Sequence, residues 1–484
     1  MSNSPLRILF VASEVEGFSK SGGLADVARA LPLALKASGH DVRVLTPLYA
    51  SVPREGLQMR LPQLGVPMGF GEVWCAVQET RLPQSEVPIF FLEHEHFFGR
   101  KGYYDEQGWA YPDNAQRFAF LSKAALQLCR ALSWTPDVVH CHDWHTALLP
   151  YYLKTQAPDL DRTVSVLTLH NAGYQGHFPG ALQQVLEVRP EHFHDWAFED
   201  HGSLNLLKGG LTFADRVNAV SPGYAQELQS PPGSHGLHEA ILRKQAAFSG
   251  ILNGCDYGEW NPEQDPHLPA NFSAERLAGK LVCKQALQRH FGLPERPEVP
   301  VFGLVSRLTE QKGFGMLLPA LEEILQWDLQ VIAMGSGDSE TATRLAQTAQ
   351  AFPECMGWWE GYSNSLAHQV EAGSDVFLMP SLYEPCGLNQ MYSLRYGTLP
   401  LVRAVGGLRD TVENYDEASG GGTGFVFFDP TPAALRNTVG WALSTWYDRP
   451  KHFQGMISRA MDKRFLWEDA ARSYESLYRE ALNS

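Results

Sequence analysis

The chain has 484 residues, of which 44% are hydrophobic and 19% are charged, and its formal net charge is −15. A chain of this length is longer than a single hydrophobic core usually organises, which predicts roughly two or three domains. The acidic balance leaves no basic stripe for a phosphate backbone, and no apolar run is long enough to cross a bilayer, so we expect no nucleic-acid partner and no membrane partner. Strand-like sequence from Leu6 onward leaves no room for a leader peptide, which predicts a cytoplasmic protein.

Seven cysteines are scattered through the chain without the CxxC spacing of zinc sites or thiol oxidoreductases. Their odd number also argues against a disulfide framework. We therefore expect reduced thiols that lie mostly in the core.

The first half opens with a predicted strand, a glycine turn, a helix and a second strand. The first strand covers residues 6–12, and the turn contains Lys20, Gly22 and Gly23. Two glycines let the backbone approach a bulky ligand, the start of the helix supplies N–H donors and the lysine supplies positive charge, so the turn suits a phosphate. An ordinary tight turn is the alternative, since neither GxGxxG nor GxxxxGK[ST] is present.

An aromatic and charged loop at residues 96–111 follows two further predicted strands and includes Tyr103 and Trp109. Exposed aromatic rings on a polar loop suit stacking against sugar faces, but a packed surface loop would have the same composition. The loop is a candidate binding site for a sugar acceptor.

Polar side chains then follow two predicted strands at their carboxyl ends. Asp143 and His145 follow the first strand, and His170 and Asn171 follow the second. Because ligands of open α/β sheets bind beyond the carboxyl ends of the strands, we expect these groups to bind sugar or phosphate. The histidine-rich segment 140–145 could suggest a metal site, but alternate residues on a strand face opposite ways and no second ligand group has matching spacing.

A polar stretch over residues 251–275 precedes a second series of alternating strands and helices. This alternation predicts a second doubly wound domain and makes the polar stretch a candidate hinge. The first strand of this domain is predicted over residues 299–307, so Arg307 and Lys312 lie at its carboxyl end. An arginine fork and a lysine point charge together suit a pyrophosphate, although a solvated surface turn would have the same sequence.

Residues 375–402 carry the most specific pattern in the chain. Residues 376–379 are an apolar run typical of a buried parallel strand, and two turns lead from it into a helix that ends at Gly397. Glu384 therefore falls at the carboxyl end of a strand and beside the start of a helix. We expect its carboxylate to bind sugar hydroxyls while the free N–H groups of the helix bind an anion.

Eight segments resemble, in the same order, sequence blocks of bacterial glycogen synthases and plant starch synthases, which are retaining glucosyltransferases. The segments are KSGGLADV (20–27), HDWHT (142–146), HNAGYQG (170–176), ILNGCDYGEWNP (251–262), SRLTEQKG (306–313), PSLYEPCGL (380–388), YGTLPLVR (396–403) and VGGLRDTV (405–412). The resemblance runs nearly end to end and implies an α/β protein of GT-B architecture, with two doubly wound Rossmann-like domains facing a central cleft. We expect an N-terminal domain over residues 1–250, rejoined by a C-terminal helix at about residues 460–484, and a nucleotide-sugar domain over residues 276–459.

The resemblance also implies how the donor diphosphate would be held. Lys20 and the amides of Gly22 and Gly23 would contact it from the first domain, and Arg307 and Lys312 would contact it from the second.

For the sugar, the resemblance implies that Glu384 binds glucose hydroxyls. The other groups that it places around the donor are the amides of Gly387 and Leu388, the residue Asn389, and the pocket residues Asp143, His170 and Asn253. Tyr103 lies in a block that resembles one in contact with the glucan acceptor.

Three positions depart from related transferases. Many of these have a second glutamate eight positions after the first, which binds ribose, but Tyr392 stands there, as in the glycogen and starch synthase branch. Asn389 replaces a frequent threonine beside the phosphate, and Cys255 replaces an apolar residue. Because asparagine still donates a hydrogen bond, we expect activity to be retained.

The reaction implied is the transfer of glucose from ADP-glucose to the nonreducing 4-hydroxyl of an α-1,4-glucan, with retention at the anomeric carbon. The DxD pattern at residues 159–161 lies in a polar run that predicts a solvated loop, so we expect no metal ion and no other cofactor. No side chain is an obvious covalent nucleophile, which favours a front-face path in which the leaving phosphate takes the acceptor proton. We also expect the domains to close about residues 253–266 when the donor binds.

Three alternatives stay open from the sequence: a related transferase with another donor or acceptor, a phosphorylase, and a noncatalytic glucan-binding protein. The combined presence of Glu384, Arg307 and Lys312 argues against the third. The sequence does not decide between ADP-glucose and UDP-glucose, nor whether the chain forms a homo-oligomer.

Overall fold

The computed structural model describes residues 4–106 and 108–484, which form two compact units. Unit 1 contains the described residues up to Gly254 together with Trp467–Ser484, and unit 2 contains Cys255–Leu466. The division falls inside the segment 251–275 that the sequence marks as a hinge. Residues 1–3, with which the predicted N-terminal domain begins, lie outside the described residues.

Unit 1 is built around a 9-stranded sheet with the order β14-β13-β9-β8-β1-β2-β5-β4-β3. The strands of unit 1 are β1 (Arg7–Val11), β2 (Asp41–Pro47), β3 (Gln58–Met68), β4 (Gly71–Arg81), β5 (Pro88–Glu93), β6 (Asp105–Glu106), β7 (Trp109–Ala110), β8 (Val138–His142), β9 (Val164–Leu169), β10 (His177–Pro179), β11 (Glu199–Asp200), β12 (Ser203–Asn205), β13 (Arg216–Ala219) and β14 (Phe248–Gly250). The central strands pair in parallel, and every residue of β8 is buried, as expected for a strand covered on both faces.

The edge strand β3 was not predicted from the sequence. It pairs antiparallel with β4 and contains Pro62 and Pro67. Proline is tolerated on edge strands because its missing N–H can face solvent, but it conceals the alternating pattern by which a strand is recognised.

Among the described residues, seven α-helices precede the point at which the chain enters unit 2. They are α1 (Gly23–Ala37), α2 (Glu95–Phe98), α3 (Asn114–Ala131), α4 (Leu148–Gln156), α5 (Leu206–Phe213), α6 (Pro222–Glu227) and α7 (His238–Lys244). The helix α1 ends as predicted, with Gly39 at a φ of 96° just beyond its last turn.

Unit 2 alternates strands and helices around a 6-stranded sheet with the order β17-β16-β15-β18-β19-β20. Its elements are α8 (Ala278–His290), β15 (Val301–Leu308), α9 (Phe314–Ile324), β16 (Gln330–Gly337), α10 (Ser339–Ala351), β17 (Met356–Glu360), α11 (Asn364–Gly373), β18 (Val376–Met379), α12 (Asn389–Arg395), β19 (Leu399–Arg403), α13 (Gly406–Thr411), β20 (Phe425–Phe427), α14 (Pro432–Asp448) and α15 (Pro450–Asp462). All neighbouring strands are parallel, and the wholly buried β18 is the strand predicted over residues 376–379.

The chain returns to unit 1 as its last helix, α16 (Trp467–Leu482). Tyr474 and Tyr478 on this helix are fully buried in unit 1. Gly254 lies so close to the start of α16 that a Cβ atom there would be 2.6 Å from the backbone nitrogen of Trp467. Unit 1 is therefore completed by residues from both ends of the chain.

The two sheets confirm the predicted α/β class with two Rossmann-like units. All seven cysteines are free thiols, and six of them are buried. Within residues 4–106 and 108–484, no helix combines the length and the apolar character needed to span a bilayer.

Candidate active site

In unit 2, the carboxylate of Glu384 is fixed through one of its two oxygens. Nζ of Lys312 lies 2.6 Å from Oε2, and the hydroxyl of Ser381 donates to the same oxygen over 2.9 Å. Oε1 makes no hydrogen bond with the described part of the chain. One oxygen thus orients the group, while the other remains available to a sugar hydroxyl.

The loop that carries Lys312 and the loop that carries Glu384 follow neighbouring parallel strands, β15 and β18. The backbones of the two loops are joined, because the N–H of Leu382 donates to the carbonyl of Gln311 over 2.8 Å. The ammonium and the carboxylate are therefore brought together by the main chain, and not only by their mutual attraction.

Two glycines allow this close packing around Glu384. Gly313 has a φ of 78°, and a Cβ atom there would lie 1.8 Å from the carbonyl oxygen of Pro380. Gly406 has a φ of 42°, and a Cβ atom there would lie 2.0 Å from the carbonyl oxygen of Glu384. Both positions combine a left-handed conformation with a backbone contact that excludes any side chain.

The turn before α12 presents unpaired backbone donors. Gly387 has a φ of 72°, and its amide and that of Leu388 donate to no acceptor within residues 4–106 and 108–484. The side-chain amide of Asn389 donates instead to the carbonyl of Val305 within β15, over 3.2 Å. Asn389 thus ties the start of α12 to the sheet while the two preceding amides stay available to an anion.

Arg307 is exposed near the end of β15. Its guanidinium makes no hydrogen bond or ion pair with the described residues. An unpaired guanidinium, two backbone amides without acceptors and the partly exposed ammonium of Lys312 together supply the donors and positive charge that suit a diphosphate.

Tyr392 takes part in an aromatic stack that the sequence did not reveal. Its ring lies parallel to that of Trp260 with the centroids 3.9 Å apart, and the other face of Trp260 stacks on His368 at 3.8 Å. Asp265 accepts a hydrogen bond from His368 over 2.7 Å, which holds the imidazole in place. The position at which related transferases have a second glutamate is therefore occupied by a packing residue.

In unit 1, the glycine turn forms the open N-terminus of α1. The amides of Gly22 and Gly23 donate to no acceptor in the part of the chain that the structure describes, and a Cβ atom at either position would meet nothing within 4 Å. Lys20 is exposed and pairs with Asp26 on the first turn of the helix, with Nζ 2.6 Å from Oδ1. Exposed ion pairs are worth only about 0–1 kcal/mol, so this lysine can readily turn towards a ligand.

Glu14 is a site residue that the sequence did not single out. It is buried and accepts hydrogen bonds from the hydroxyl of Ser21 over 2.7 Å, from the amide of Ser21, and from the hydroxyl of Tyr104. It therefore joins the glycine turn to the aromatic loop. In the sequence, only its position before the glycine pair could have drawn attention to Glu14, and a glutamate at this distance from two glycines is not a known motif.

Tyr103, the predicted acceptor residue, packs on Tyr49 with the ring centroids 4.7 Å apart. Its carbonyl accepts a hydrogen bond from the buried guanidinium of Arg117 over 2.9 Å. Its neighbour Tyr104, and not Tyr103, places a hydroxyl against Glu14.

Asp143 follows β8 in a conformation that is rare for a residue with a side chain, with a φ of 52°. Its Oδ1 accepts the amide of His170 over 2.7 Å and that of Asn171 over 3.3 Å. Burial raises the pKa of Asp143 to about 7, although these two hydrogen bonds favour the charged form. The carboxylate is therefore fixed at the strand ends and titrates near neutral pH.

The histidines that follow β8 and β9 are neutral. His145 is buried, and His170 is half-buried. Burial lowers the pKa of His170 to about 3 and that of His145 to about 3. Nε2 of His170 lies 3.0 Å from Nδ1 of His142. These rings can exchange hydrogen bonds with a ligand but carry no charge at neutral pH.

Asn253 is buried near the end of unit 1, and its Oδ1 has no hydrogen-bond partner among the described residues. An unpaired buried amide oxygen is costly unless a ligand or a water molecule satisfies it. The unpaired Oδ1 of Asn253 could therefore accept a hydrogen bond from a polar ligand, and the resemblance assigns this residue to the glucose pocket.

No group of three or more His, Cys, Asp or Glu side chains within residues 4–106 and 108–484 is arranged to hold a metal ion. In the DxD pattern, Asp159 and Asp161 are exposed, and Asp159 accepts two hydrogen bonds from Arg130, over 2.6 and 2.8 Å. Both aspartates of this pattern are therefore exposed to solvent, as predicted, although Asp159 lies in a short 3-10 helix, Pro158–Leu160, and not in a loop.

Two family models match the chain, one for each half. The model described as the starch synthase catalytic domain matches residues 7–243, and the model described as glycosyl transferases group 1 matches residues 287–457.

Relatives of known name match over almost the full length. The chain is 51% identical to glycogen synthase 1 of Geobacter sulfurreducens, over 99% of this chain and 96% of that protein. It is 47% identical to the glycogen synthase of Aeromonas hydrophila, over 100% of this chain and 99% of that protein.

Among solved structures, the catalytic domain of starch synthase IV from Arabidopsis thaliana, bound to ADP and acarbose, has a TM-score of 0.91 at 30% identity, covering 99% of this chain and 100% of that chain. Sucrose-phosphate synthase from Thermosynechococcus elongatus has a TM-score of 0.60 at 17% identity, which shows a common fold.

Proposed function

The chain belongs to the family of bacterial glycogen synthases and plant starch synthases, and we propose that it transfers glucose from ADP-glucose to the nonreducing 4-hydroxyl of an α-1,4-glucan, with retention at the anomeric carbon and release of ADP. The observation that carries this proposal is the arrangement at Glu384. A fixed carboxylate with one free oxygen lies beside the ammonium of Lys312, as expected for a site that holds a sugar next to a phosphate.

Stabilisation of the leaving diphosphate is the main catalytic task of unit 2. Breaking the bond between the anomeric carbon and the phosphate oxygen moves negative charge onto the ADP. Arg307, Lys312 and the amides of Gly387 and Leu388 supply positive charge and N–H donors for it. Preorganised donors of this kind are commonly worth about 3–4 kcal/mol each in the transition state.

Glucose is oriented by hydrogen bonds to groups that are themselves fixed. In unit 2, Oε1 of Glu384 belongs to a buried carboxylate that is held through its other oxygen. In unit 1, the carboxylate of Asp143 and the amide of Asn253 are buried, and the half-buried imidazole of His170 contacts His142. Tyr103 contacts the acceptor glucan.

Lys20 and the amides of Gly22 and Gly23 bind phosphate oxygens from unit 1. The support for this role is the open N-terminus of α1, since nothing in the described chain fills the space above the two glycines.

No metal ion or other cofactor takes part in the proposed reaction, because cationic side chains supply the charge that a metal would supply. No covalent intermediate forms either. The acceptor hydroxyl attacks on the face from which ADP departs, and the leaving phosphate oxygen takes the acceptor proton.

The test is label transfer from ADP-glucose radiolabelled in the sugar to glycogen, with and without EDTA, beside UDP-glucose and GDP-glucose as competing donors. We expect transfer that depends on glycogen, prefers the ADP donor and is unchanged by EDTA. Phosphate-dependent release of glucose 1-phosphate in place of transfer would instead identify a phosphorylase, and absence of transfer from all three donors would leave only a glucan-binding role.

A further inference from the structure

Two neighbouring histidines in unit 1, His142 and His170, share a hydrogen bond. Its direction determines whether His170 can donate a hydrogen bond to a ligand or only accept one. Nδ1 of His142 lies 3.0 Å from Nε2 of His170. Both rings are neutral, since burial lowers the pKa of each. A neutral imidazole has one N–H and one acceptor nitrogen, so the donor in this pair decides which nitrogen of His170 carries the hydrogen.

The surroundings of His142 decide that direction. Its Nε2 is buried and has no hydrogen-bond partner among the described residues. The ring stacks on Phe10 with the centroids 5.4 Å apart and lies tilted against His140 with the centroids 4.3 Å apart. A buried N–H group without an acceptor is rarer than a buried unpaired acceptor, so the single hydrogen of His142 belongs on Nδ1.

The adjacent His140 cannot change this assignment, because both of its nitrogens are engaged. Its Nε2 lies 2.6 Å from the hydroxyl of Thr168, and that hydroxyl donates to Oδ1 of Asn218 over 2.8 Å, so Nε2 of His140 is the donor. Its Nδ1 accepts from the hydroxyl of Tyr478 over 2.8 Å. This network is complete without His142.

We infer that His142 is a positioning residue: its Nδ1 donates to Nε2 of His170, so the hydrogen of the neutral His170 ring lies on Nδ1. Nδ1 of His170 makes no hydrogen bond with the described chain, and its N–H is therefore the group available to a ligand. His170 then acts as a hydrogen-bond donor to a sugar hydroxyl oxygen. The identity of that ligand rests on the proposed function, but the tautomer does not.

The tautomer can be read directly by nuclear magnetic resonance of the protein labelled with 15N in its histidine rings, with His170→Ala to assign the resonances. We expect a protonated, pyrrole-type signal for Nδ1 of His170 and an unprotonated, pyridine-type signal for Nε2. The reverse pattern would overturn the inference. The measurement uses no substrate, so it stands whether or not the protein makes glycogen.

The role of His142 can be tested with two substitutions of equal shape, His142→Asn and His142→Leu. The asparagine amide can take the place of Nδ1 and donate to His170, whereas leucine cannot. We expect kcat/KM to stay near the wild-type value in the first variant and to fall about tenfold in the second, the equivalent of one net hydrogen bond. Equal kcat/KM values for the two variants would contradict this role.

A third comparison separates positioning from general support of the fold. In the His170→Ala background, the difference in kcat/KM between His142→Asn and His142→Leu should disappear, because the two residues act through one contact. A difference that persists without His170 would show that His142 has only a structural role. Should either variant fail to fold, the spectrum of the wild-type protein still decides the tautomer.

Discussion

Lys312 and Glu384 form an ion pair of 2.6 Å in which only 19% of the lysine side chain and 7% of the glutamate side chain are exposed. Removing one partner of such a pair leaves a charge buried without compensation. We expect Lys312→Ala to lower kcat about 10²–10³-fold, because the leaving phosphate loses a cation, and to lower the free energy of unfolding by roughly 3 kcal/mol. Steady-state kinetics and urea unfolding measure the two effects.

The double variant Lys312→Met with Glu384→Gln serves as the control, since it removes both charges. It should recover most of the lost stability but none of the lost activity. Recovery of activity along with stability would mean that the pair only supports the fold.

Gly313 is expected to tolerate no side chain. Gly313→Ala places a Cβ atom 1.8 Å from the carbonyl oxygen of Pro380 at a φ of 78°, so the two loops must separate. We predict a loss of at least about 2 kcal/mol in the free energy of unfolding and a sharp fall in kcat, because Lys312 and Glu384 move apart.

Gly315 provides the matched control two residues away. It is an exposed residue of α9, and a Cβ atom there would meet nothing within 4 Å. Gly315→Ala should leave kcat unchanged and raise the stability by up to about 1 kcal/mol. A similar loss of stability in both alanine variants would show that the contact with Pro380 is unimportant.

Asp143 should make the stability depend on pH near neutrality. Burial raises its pKa in the folded protein to about 7 from 3.8. Between about pH 4 and pH 7 the folded state keeps a proton that the unfolded state has released, so this group lowers the stability as the pH rises. The free energy of unfolding of Asp143→Asn, relative to wild type, should therefore increase up to about pH 7 and then level off.

Asp215 gives the opposite case for comparison. Burial opposes its ionisation, but hydrogen bonds from Lys154 and Ser165 outweigh burial and hold its pKa below the usual value. The effect of Asp215→Asn on the free energy of unfolding should thus be constant between about pH 5 and pH 7. Urea unfolding at a series of pH values measures both variants, and a flat profile for Asp143→Asn would contradict the raised pKa.

Tyr392 should contribute to stability through its stack on Trp260, at a centroid distance of 3.9 Å. We expect Tyr392→Leu to lose about 1–3 kcal/mol in the free energy of unfolding relative to Tyr392→Phe, which keeps an aromatic ring. Tyr392→Glu, which restores the residue of related transferases, should lose at least as much because a carboxylate would lie against the indole. Denaturant midpoints for the three variants test the order.

The sequence predicted those site residues that lie at the carboxyl ends of parallel strands, where open α/β sheets bind their ligands. Arg307, Lys312 and Glu384 each follow an apolar run, and parallel strands bring their carboxyl ends to one edge of the sheet. The predicted strand over residues 376–379 and the turn before α12 are present for this reason.

Contacts that depend on loop conformation could not be predicted in this way. Glu14 meets Tyr104 across 90 positions of sequence. That contact requires the fold of a loop whose backbone is held by the buried Arg117. The pairing of His142 with His170 likewise depends on the register of β8 and β9, in which His142 lies opposite Thr168, and no spacing in the sequence encodes this register.

The return of the chain to unit 1 through α16 has a consequence for biosynthesis. The hydroxyls of Tyr474 and Tyr478 complete hydrogen bonds to Asn218 and His140 in the interior of unit 1. A ribosome synthesises all of unit 2 before it reaches these two tyrosines, so unit 2 can fold first. Until α16 is added, the side chains of Asn218 and His140 in unit 1 lack their tyrosine partners and remain accessible to water. A truncated chain that ends at Leu466 and has left the ribosome should therefore have a protease-resistant unit 2 and a protease-sensitive unit 1.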